Sequence, residues 1–241
     1  MSAPARNLPG RERLIVALDV PTHAAALRLV EELPQVAFFK IGLELLMAGD
    51  LTRLVQQIRT RRESGIFVDL KLGGDIGTTI ERFIAACMAQ QVRFVTLVEA
   101  NPPAITASTL RAARAARGAQ AWPRLLMVPL LSSLNAEDLH GQSAEDFVLA
   151  RGKALLAQGC DGLIVSGEAI APCRKAFPQI DIVSPGIRPA GTATGDHKRH
   201  ATPRQAIGWG ADYLVVGRPI TQAADPAKVA QAVIDEIDAA P

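Results

Sequence analysis

The chain of 241 residues is 49% hydrophobic and 21% charged, an ordinary composition for a globular protein of one large domain or two small ones. A formal net charge of +2, no Lys/Arg run longer than two residues and an aromatic content of 4% argue against a nucleic-acid partner. No apolar run approaches the roughly 20 residues that span a bilayer, and the polar N-terminus lacks a signal-peptide core. Cys87, Cys160 and Cys173 form no C-x-x-C pair, which argues against a zinc site or disulfide framework. We therefore expect a cytoplasmic protein without a membrane partner.

Eight short apolar runs are predicted to be strands: Leu14–Leu18, Ala37–Ile41, Ile66–Leu70, Phe94–Val98, Leu125–Leu130, Gly162–Val165, Ile180–Ser184 and Tyr213–Val216. Each is followed by a segment with helical spacing of apolar residues: Ala24–Leu33, Leu51–Ile58, Ile80–Met88, Ile105–Ala116, Ala144–Leu156, Glu168–Phe177, Pro203–Trp209 and Pro226–Ile237. Eight such units predict a single (β/α)8 TIM barrel domain over residues 1–241, with residues 1–10 as a flexible N-terminal extension. A doubly wound open sheet is the alternative, but no G-x-G-x-x-G follows the first run, where a dinucleotide fold would need it.

Charged side chains stand at the carboxyl ends of the first three predicted strands, where barrels place their active groups. Asp69 and Lys71 are two residues apart on the third strand, so they share one face. Asp19, Lys40 and Asp75 complete the group. Burying such charges costs several kcal/mol unless they pair or do chemistry, and a lysine between carboxylates suits a decarboxylation. A structural ion network at the barrel mouth would explain the same residues, and the cluster alone does not decide between the two.

The last two strand ends carry the features of a phosphate site. Barrels often bind phosphate with the loops after strands seven and eight. Gly217 would allow a close backbone approach and Arg218 would supply a forked cation, which we favour over a plain turn with a solvated arginine. The longest irregular segment, Gly186–Thr202, is predicted to be a lid or binding loop. For His197 in this loop, a ligand contact is favoured over a metal site, since lysine and arginine follow it directly.

A set of motifs along the chain points to one family. The motifs are Leu14–Asp19, Phe39–Gly42, Asp69-Leu-Lys71, Asp75-Ile76 with Thr79, Leu131–Leu134, Ser184–Pro189, Gly195-Asp196 and Gly210–Pro219. The set resembles the orotidine 5′-phosphate decarboxylase family over nearly the whole chain, and its last member is highly specific. The D-x-K core alone is shared with other decarboxylases and epimerases of related barrels. The resemblance implies a cofactor-free conversion of orotidine 5′-monophosphate to uridine 5′-monophosphate and CO₂ in pyrimidine synthesis.

The resemblance also implies a role for each site residue. Lys71 would protonate the carbanion at C6 of the pyrimidine, beside Asp69, which would crowd the departing carboxylate. Lys40 and Asp75 would hold the charge network and the ribose hydroxyls. The remaining contacts would be Asp19 to the ribose, Ser132 to the pyrimidine edge, Arg218 with the Gly217 backbone to the phosphate, and Arg188 and His197 from the closing loop. Family members are usually homodimers in which the positions of Asp75-Ile76 and Thr79 reach into the neighbouring subunit's site.

Three positions depart from the family pattern. One additional residue separates Asp69 from Asp75, and we expect Gly73-Gly74 to loop it out so that Asp75 still reaches the lysines. His197 replaces a glutamine, and Glu99 stands where many bacterial members carry a histidine. Two alternative functions stay open: a metal-dependent keto-sugar-phosphate decarboxylase or epimerase of a related barrel, and a nucleotide-binding homologue that has lost catalysis.

Overall fold

The computed structural model describes residues 8–61, 65–74, 76–131, 134, 137–139, 141–189 and 200–240. Eight parallel strands, each hydrogen-bonded to the next along the chain, close into a barrel because the first also pairs with the last. The strands are β1 Leu14–Ala17, β2 Phe38–Gly42, β3 Gly65–Leu72, β4 Phe94–Leu97, β5 Arg124–Met127, β6 Gly162–Ile164, β7 Asp181–Ser184 and β8 Tyr213–Val216. The predicted (β/α)8 barrel is confirmed.

Helices alternate with the strands along the chain. They are α1 Gly10–Arg13, α2 His23–Glu32, α3 Leu43–Leu46, α4 Leu51–Arg61, α5 Gly77–Ala89, α6 Pro103–Arg117, α7 Ala144–Ala157, α8 Ile170–Ala176, α9 Pro203–Gly208, α10 Arg218–Thr221 and α11 Pro226–Asp238, with single 3₁₀ turns at Glu137–Leu139 and Gly167–Ala169. Side-chain oxygens of Thr22, Ser143, Thr202 and Asp225 accept backbone N–H groups in the first turns of four of them, which fixes where these helices begin. Among the helices described, none is long and apolar enough to cross a membrane.

The hydrophobic core has two layers, one on each side of the barrel wall. Side chains that point outward from the strands pack against the apolar faces of the surrounding helices. Side chains that point inward form a separate cluster, in which the Phe94 ring meets the rings of Phe38 and Tyr213 with centroids 5.1 and 4.9 Å away. The barrel is therefore filled by side chains rather than open through its length.

Buried and partly buried arginines and aspartates close the amino end of the barrel. We call this group the amino-end ring: Arg13, Arg117, Arg124, Arg174, Asp161, Asp181 and Asp212. Arg174 pairs with Asp212 and also donates to the backbone carbonyls of Gly210 and Ile180, each at 2.9 Å. Arg124 Nε donates to Asp181 Oδ2 over 2.6 Å. These side chains bond to one another and to backbone groups near the strand ends, at the face opposite the polar site described below, although Arg117 Nε is buried without a hydrogen-bond partner among the described residues.

The predicted boundaries of the strands and helices agree with the structure to within a few residues. β8 has the predicted bounds, whereas β3 extends two residues beyond the predicted Leu70 and includes Lys71. Three helices of only four residues, α1, α3 and α10, were not predicted. Within the described part of the predicted N-terminal extension, Gly10 is buried at the start of α1, where its amide donates to Asp238 Oδ1 at 2.6 Å.

Candidate active site

The carboxyl-terminal half of β3 contains a bulge. Val68 pairs with Val95 and Leu72 pairs with Leu97, so the three residues between them on β3 face a single residue, Thr96, on β4. Lys71 has a φ of 50°, a left-handed conformation that is uncommon for a residue other than glycine. Bulges of this kind re-aim side chains and occur next to active sites. The simple alternation from which we expected Asp69 and Lys71 to share a face is therefore interrupted here.

Four of the predicted catalytic and ribose-binding residues nevertheless form one charge cluster. Lys71 Nζ lies 3.1 and 3.2 Å from the two carboxylate oxygens of Asp69. Lys40 Nζ lies 3.4 Å from Asp69 Oδ2 and donates to Asp19 Oδ1 at 2.9 Å. Asp69 thus stands between two lysines, and Lys40 stands between two carboxylates.

Burial within this cluster is uneven. The side chains of Lys40 and Asp69 are only 10% and 11% exposed, whereas that of Lys71 is 44% exposed. Burial raises the pKa of Asp69, but the charges of Lys40 and Lys71 and the hydrogen bond from Thr96 outweigh it and lower the pKa below the ordinary 3.8. Asp69 is therefore ionised at neutral pH, and the exposed Lys71 can exchange protons with solvent.

The charge cluster opens into a cavity of about 270 Å³ at the carboxyl ends of the strands. Its floor is apolar, and its rim carries four cations and two carboxylates, which gives the lining a net charge of +2. The lining residues are Ala17, Asp19, Lys40, Phe67, Asp69, Lys71, Val128, Leu130, Leu131, Ile164, Ser166, Val183, Pro185, Gly186, Arg188, Val215, Gly217, Arg218 and Thr221. An apolar cavity with a few convergent charged groups is typical of a small-molecule site, and this charge favours an anionic ligand.

The two arginines predicted to bind substrate both line this cavity, away from the lysines in sequence. Arg218 begins α10 directly after Gly217. Arg188 is buried, and its Nη1 donates to the carbonyl of Ile187 at 2.9 Å. The Arg188 amide donates to the Ala201 carbonyl at 2.9 Å, which joins the two ends of the predicted binding loop. The structure thus supplies cations on two sides of the cavity.

Several predicted positions are not part of this described site. Asp75, Ser132 and His197 lie outside the described residues. Thr79 is exposed on α5 and does not line the cavity. Glu99 does not line it either, and pairs with Arg151 at 3.1 Å.

The expected loop-out at Gly73-Gly74 has a different counterpart in the structure. The irregular register precedes these glycines, within β3, and the left-handed residue is Lys71. Neither Gly73 nor Gly74 has a positive φ. Asp75 lies outside the described residues. The hypothesis that Asp75 still reaches the lysines therefore stays a prediction.

Three polar residues of the site were not identified from the sequence. Thr96 donates to Asp69 Oδ1 at 2.6 Å, and Ser166 and Thr221 line the cavity. Ser166 directly follows the sixth predicted strand, so a complete survey of strand ends would have found it. Thr96 lies inside a strand rather than at its end, where the only signal was one polar residue in an apolar run.

Comparison with known proteins gives matches over nearly the entire chain. A family model described as "Orotidine 5'-phosphate decarboxylase / HUMPS family" matches residues 12–233. A protein named orotidine 5′-phosphate decarboxylase from Rhodopseudomonas palustris (strain HaA2) is 43% identical over 233 residues, covering 94% of this chain and 95% of that protein. One of the same name from Xanthomonas campestris pv. campestris (strain B100) is 40% identical over 246 residues, covering 100% and 98%. The crystal structure of orotidine 5′-phosphate decarboxylase from Lactobacillus acidophilus matches with a TM-score of 0.78 and 27% identity, over 95% of this chain and 100% of that one.

Proposed function

Because the chain belongs to the orotidine 5′-phosphate decarboxylase / HUMPS family, we propose that it converts orotidine 5′-monophosphate to uridine 5′-monophosphate and CO₂ in pyrimidine biosynthesis. The observation that carries the proposal is the ionised Asp69 held between Lys40 and Lys71 at the mouth of a cationic cavity. In this proposal the chain acts as one barrel domain. The relatives that carry the decarboxylase name support it at 40–43% identity.

The charge cluster accounts for each step of this reaction. A substrate carboxylate placed beside Asp69 is repelled by a second negative charge, and the C6–carboxylate bond breaks to release CO₂. The electron pair left on C6 is stabilised by the ammonium group of Lys71, which then transfers one proton from Nζ to C6. Lys71 recovers its proton from water through its exposed side. We assign Asp75 to the same charge network, with Ser132 at the pyrimidine edge.

Phosphate binding on the far side of the cavity supplies the energy that holds the substrate against this repulsion. We assign the phosphate to Arg218 and the Gly217 backbone, and Arg188 with His197 to the loop that closes over it. Asp19 binds the ribose beside Lys40. Arg218→Ala should lower kcat/KM roughly 10- to 100-fold through the loss of charge-assisted hydrogen bonds. The exposed Arg204 on α9 offers a matched control, and equal kinetics for both alanine variants would remove Arg218 from the site.

We also propose that the protein is a homodimer. Leu43, Leu46 and Met47 at α3, and Ile76 before α5, are exposed apolar side chains that follow the neighbouring strands β2 and β3. A second copy would cover this patch and bring Thr79 towards the partner's cavity. Met47 is 87% exposed, so Met47→Lys should shift the sedimentation coefficient towards the monomer, whereas Gln56→Lys on the exposed face of α4 should not. A monomeric starting protein would contradict the dimer.

We place the enzyme in the cytoplasm. Cys87, Cys160 and Cys173 are free and buried. Burial raises the pKa of the Cys87 and Cys160 thiols to about 12 and that of Cys173 to about 11. Thiols that stay protonated at neutral pH are poor nucleophiles, which suits structural cysteines that remain reduced.

One assay separates the proposal from its two alternatives. Purified protein is mixed with orotidine 5′-monophosphate, and the loss of substrate ultraviolet absorbance is followed with and without EDTA. We expect turnover that EDTA does not change, because Lys40 and Lys71 occupy the positions next to Asp19 and Asp69 that a metal ion would need. Loss of activity with EDTA would favour the metal-dependent sugar-phosphate enzyme. Stabilisation by uridine 5′-monophosphate without any turnover would favour the non-catalytic homologue.

A further inference from the structure

We propose that Thr96 is a positioning residue for the decarboxylation, because it fixes the Asp69 carboxylate in one ionised orientation between the two lysines. The inference rests on the proposed decarboxylase function and adds a residue outside the charged motifs. Thr96 lies on β4, is fully buried, and does not line the cavity. It would therefore act through Asp69 rather than on the substrate.

Oδ1 of Asp69 accepts from Thr96, Oδ2 faces Lys40, and both oxygens lie within 3.2 Å of Lys71 Nζ. Thr96 Oγ1 donates to Oδ1 at 2.6 Å, since an ionised carboxylate can only accept. Lys71 Nζ lies 3.1 Å from the same oxygen, and Lys40 Nζ faces Oδ2 at 3.4 Å. Because a buried β-branched side chain has little rotamer freedom, the Thr96 hydroxyl holds Oδ1 in place and limits rotation of the carboxylate between the two lysines.

The β3 bulge explains why such a side-chain contact is needed. Between the Val68–Val95 and Leu72–Leu97 pairs, Thr96 is the one β4 residue that faces the bulged segment. Asp69 lies in this segment, next to the left-handed Lys71, where the regular ladder to β4 is interrupted. The Thr96 hydroxyl thus joins β4 to the part of β3 that β4 does not pair with regularly, while β2 still pairs with this part at Asp69.

The same hydrogen bond favours the charged form of Asp69. Among the residues that the structure describes, the ionisable groups that face this carboxylate are Lys40 from β2 and Lys71 from β3, and Asp19 lies behind Lys40. The lysines and the Thr96 hydroxyl act in the same direction against the effect of burial. Removing the hydroxyl should therefore raise the pKa of Asp69, and the carboxylate should lose its fixed place in the charge array.

The test compares Thr96→Val, which removes the hydroxyl at nearly constant volume, with Thr96→Ser, which retains it. Thr96→Val should lower kcat roughly 10- to 100-fold with a much smaller change in KM, and Thr96→Ser should recover activity to within about threefold of the parent. The titration of the Asp69 carboxyl carbon, followed by ¹³C NMR, should move to higher pH in Thr96→Val and stay in place in Thr96→Ser. Thr96→Ala provides a second hydroxyl-free variant if the valine variant does not fold.

Thr106→Val is the matched control, since Thr106 is also buried but its hydroxyl bonds to the backbone of Ala100. It should lose some stability without moving the Asp69 titration. An unchanged Asp69 titration in Thr96→Val, or an equal shift in Thr106→Val, would overturn the positioning role. If the parent protein does not turn over orotidine 5′-monophosphate, the proposed function fails, but the NMR titration still decides whether Thr96 controls Asp69.

Discussion

At the amino end of the barrel Arg174 donates to the carboxylate of Asp212 and to four backbone carbonyls, whereas at the carboxyl end Lys71 pairs with Asp69 and leaves 44% of its side chain exposed. The arginine is buried and fully occupied by structural partners. The lysine is held by one carboxylate, in a left-handed backbone conformation. At the amino end, the charged side chains hold the strand termini together. At the carboxyl end, the charged side chains can contact a ligand.

The carboxylates at the two ends also differ in the direction of their pKa shifts. Asp69 has a lowered pKa, because two lysines and a hydroxyl outweigh its burial. Asp181 in the amino-end ring has a raised pKa, because burial dominates over Arg124 and the charges of Asp212 and Asp161 add to it. Two largely buried carboxylates therefore differ in the direction of their pKa shift, because the balance of neighbouring cations, anions and hydrogen bonds sets that direction.

The largest expected effect comes from removing the proton donor. Lys71→Ala should lower kcat by about 1,000-fold or more while the free energy of unfolding changes by less than about 1 kcal/mol, because the side chain is partly exposed. Lys71→Gly should be equally inactive but more stable than Lys71→Ala by roughly 1 kcal/mol, since glycine tolerates a positive φ. Steady-state kinetics and urea unfolding measure both. Retention of more than a tenth of the activity in either variant would exclude Lys71 as the donor.

The amino-end ring should respond in the opposite way. Arg174→Met removes the ion-pair partner of the buried Asp212 and the donor to four backbone carbonyls, so the free energy of unfolding should fall by about 3–5 kcal/mol. Below its melting temperature, the variant should keep kcat within about twofold. The exposed Arg111 on α6 provides the control, because Arg111→Met should change stability by at most about 0.5 kcal/mol. A large loss of kcat in folded Arg174→Met would contradict the view that the amino end stabilises the fold and the carboxyl end carries out the reaction.

The pH dependence of stability should separate the two carboxylates. Asp69 contributes stability that is present above its ordinary pKa of 3.8 and is lost as the pH falls through its lowered folded pKa. Asp181 contributes stability that is present below 3.8 and is lost as the pH rises through its raised folded pKa. Urea unfolding of the parent against Asp69→Asn and Asp181→Asn, between pH 3 and 7, should therefore give differences in the free energy of unfolding that change with pH in opposite directions. Slopes of the same sign would contradict the contrast.

The smallest expected effect concerns Glu99, which follows β4 but does not line the cavity. Its carboxylate pairs with Arg151 at 3.1 Å, and the arginine is half-exposed. Glu99→Gln should reduce stability by less than about 1 kcal/mol and leave kcat/KM within twofold. A tenfold loss in kcat/KM would show that Glu99 contributes to substrate binding or catalysis.

Most of the fold could be predicted because periodicity and strand ends are local signals. Eight apolar runs gave the barrel, and the rule that parallel strands end at one face brought Lys40, Asp69, Lys71 and Arg218 to a common cavity. The bulge could not be predicted, because a register shift depends on the pairing between β3 and β4 rather than on either strand alone. Thr96 was missed for the same reason, since its partner is 27 residues away in the sequence.

The floor of the cavity belongs to the structural core as well as to the ligand site. Phe67, Val128, Ile164, Val183 and Val215 line the cavity and are also members of the cluster that fills the barrel. Enlarging the cavity from below, as a protein engineer would do to admit a bulkier base, would remove core packing at about 1–5 kcal/mol per truncated side chain. Substrate specificity is therefore easier to change through the loops that follow the strands, where a substitution does not remove side chains from the core inside the barrel.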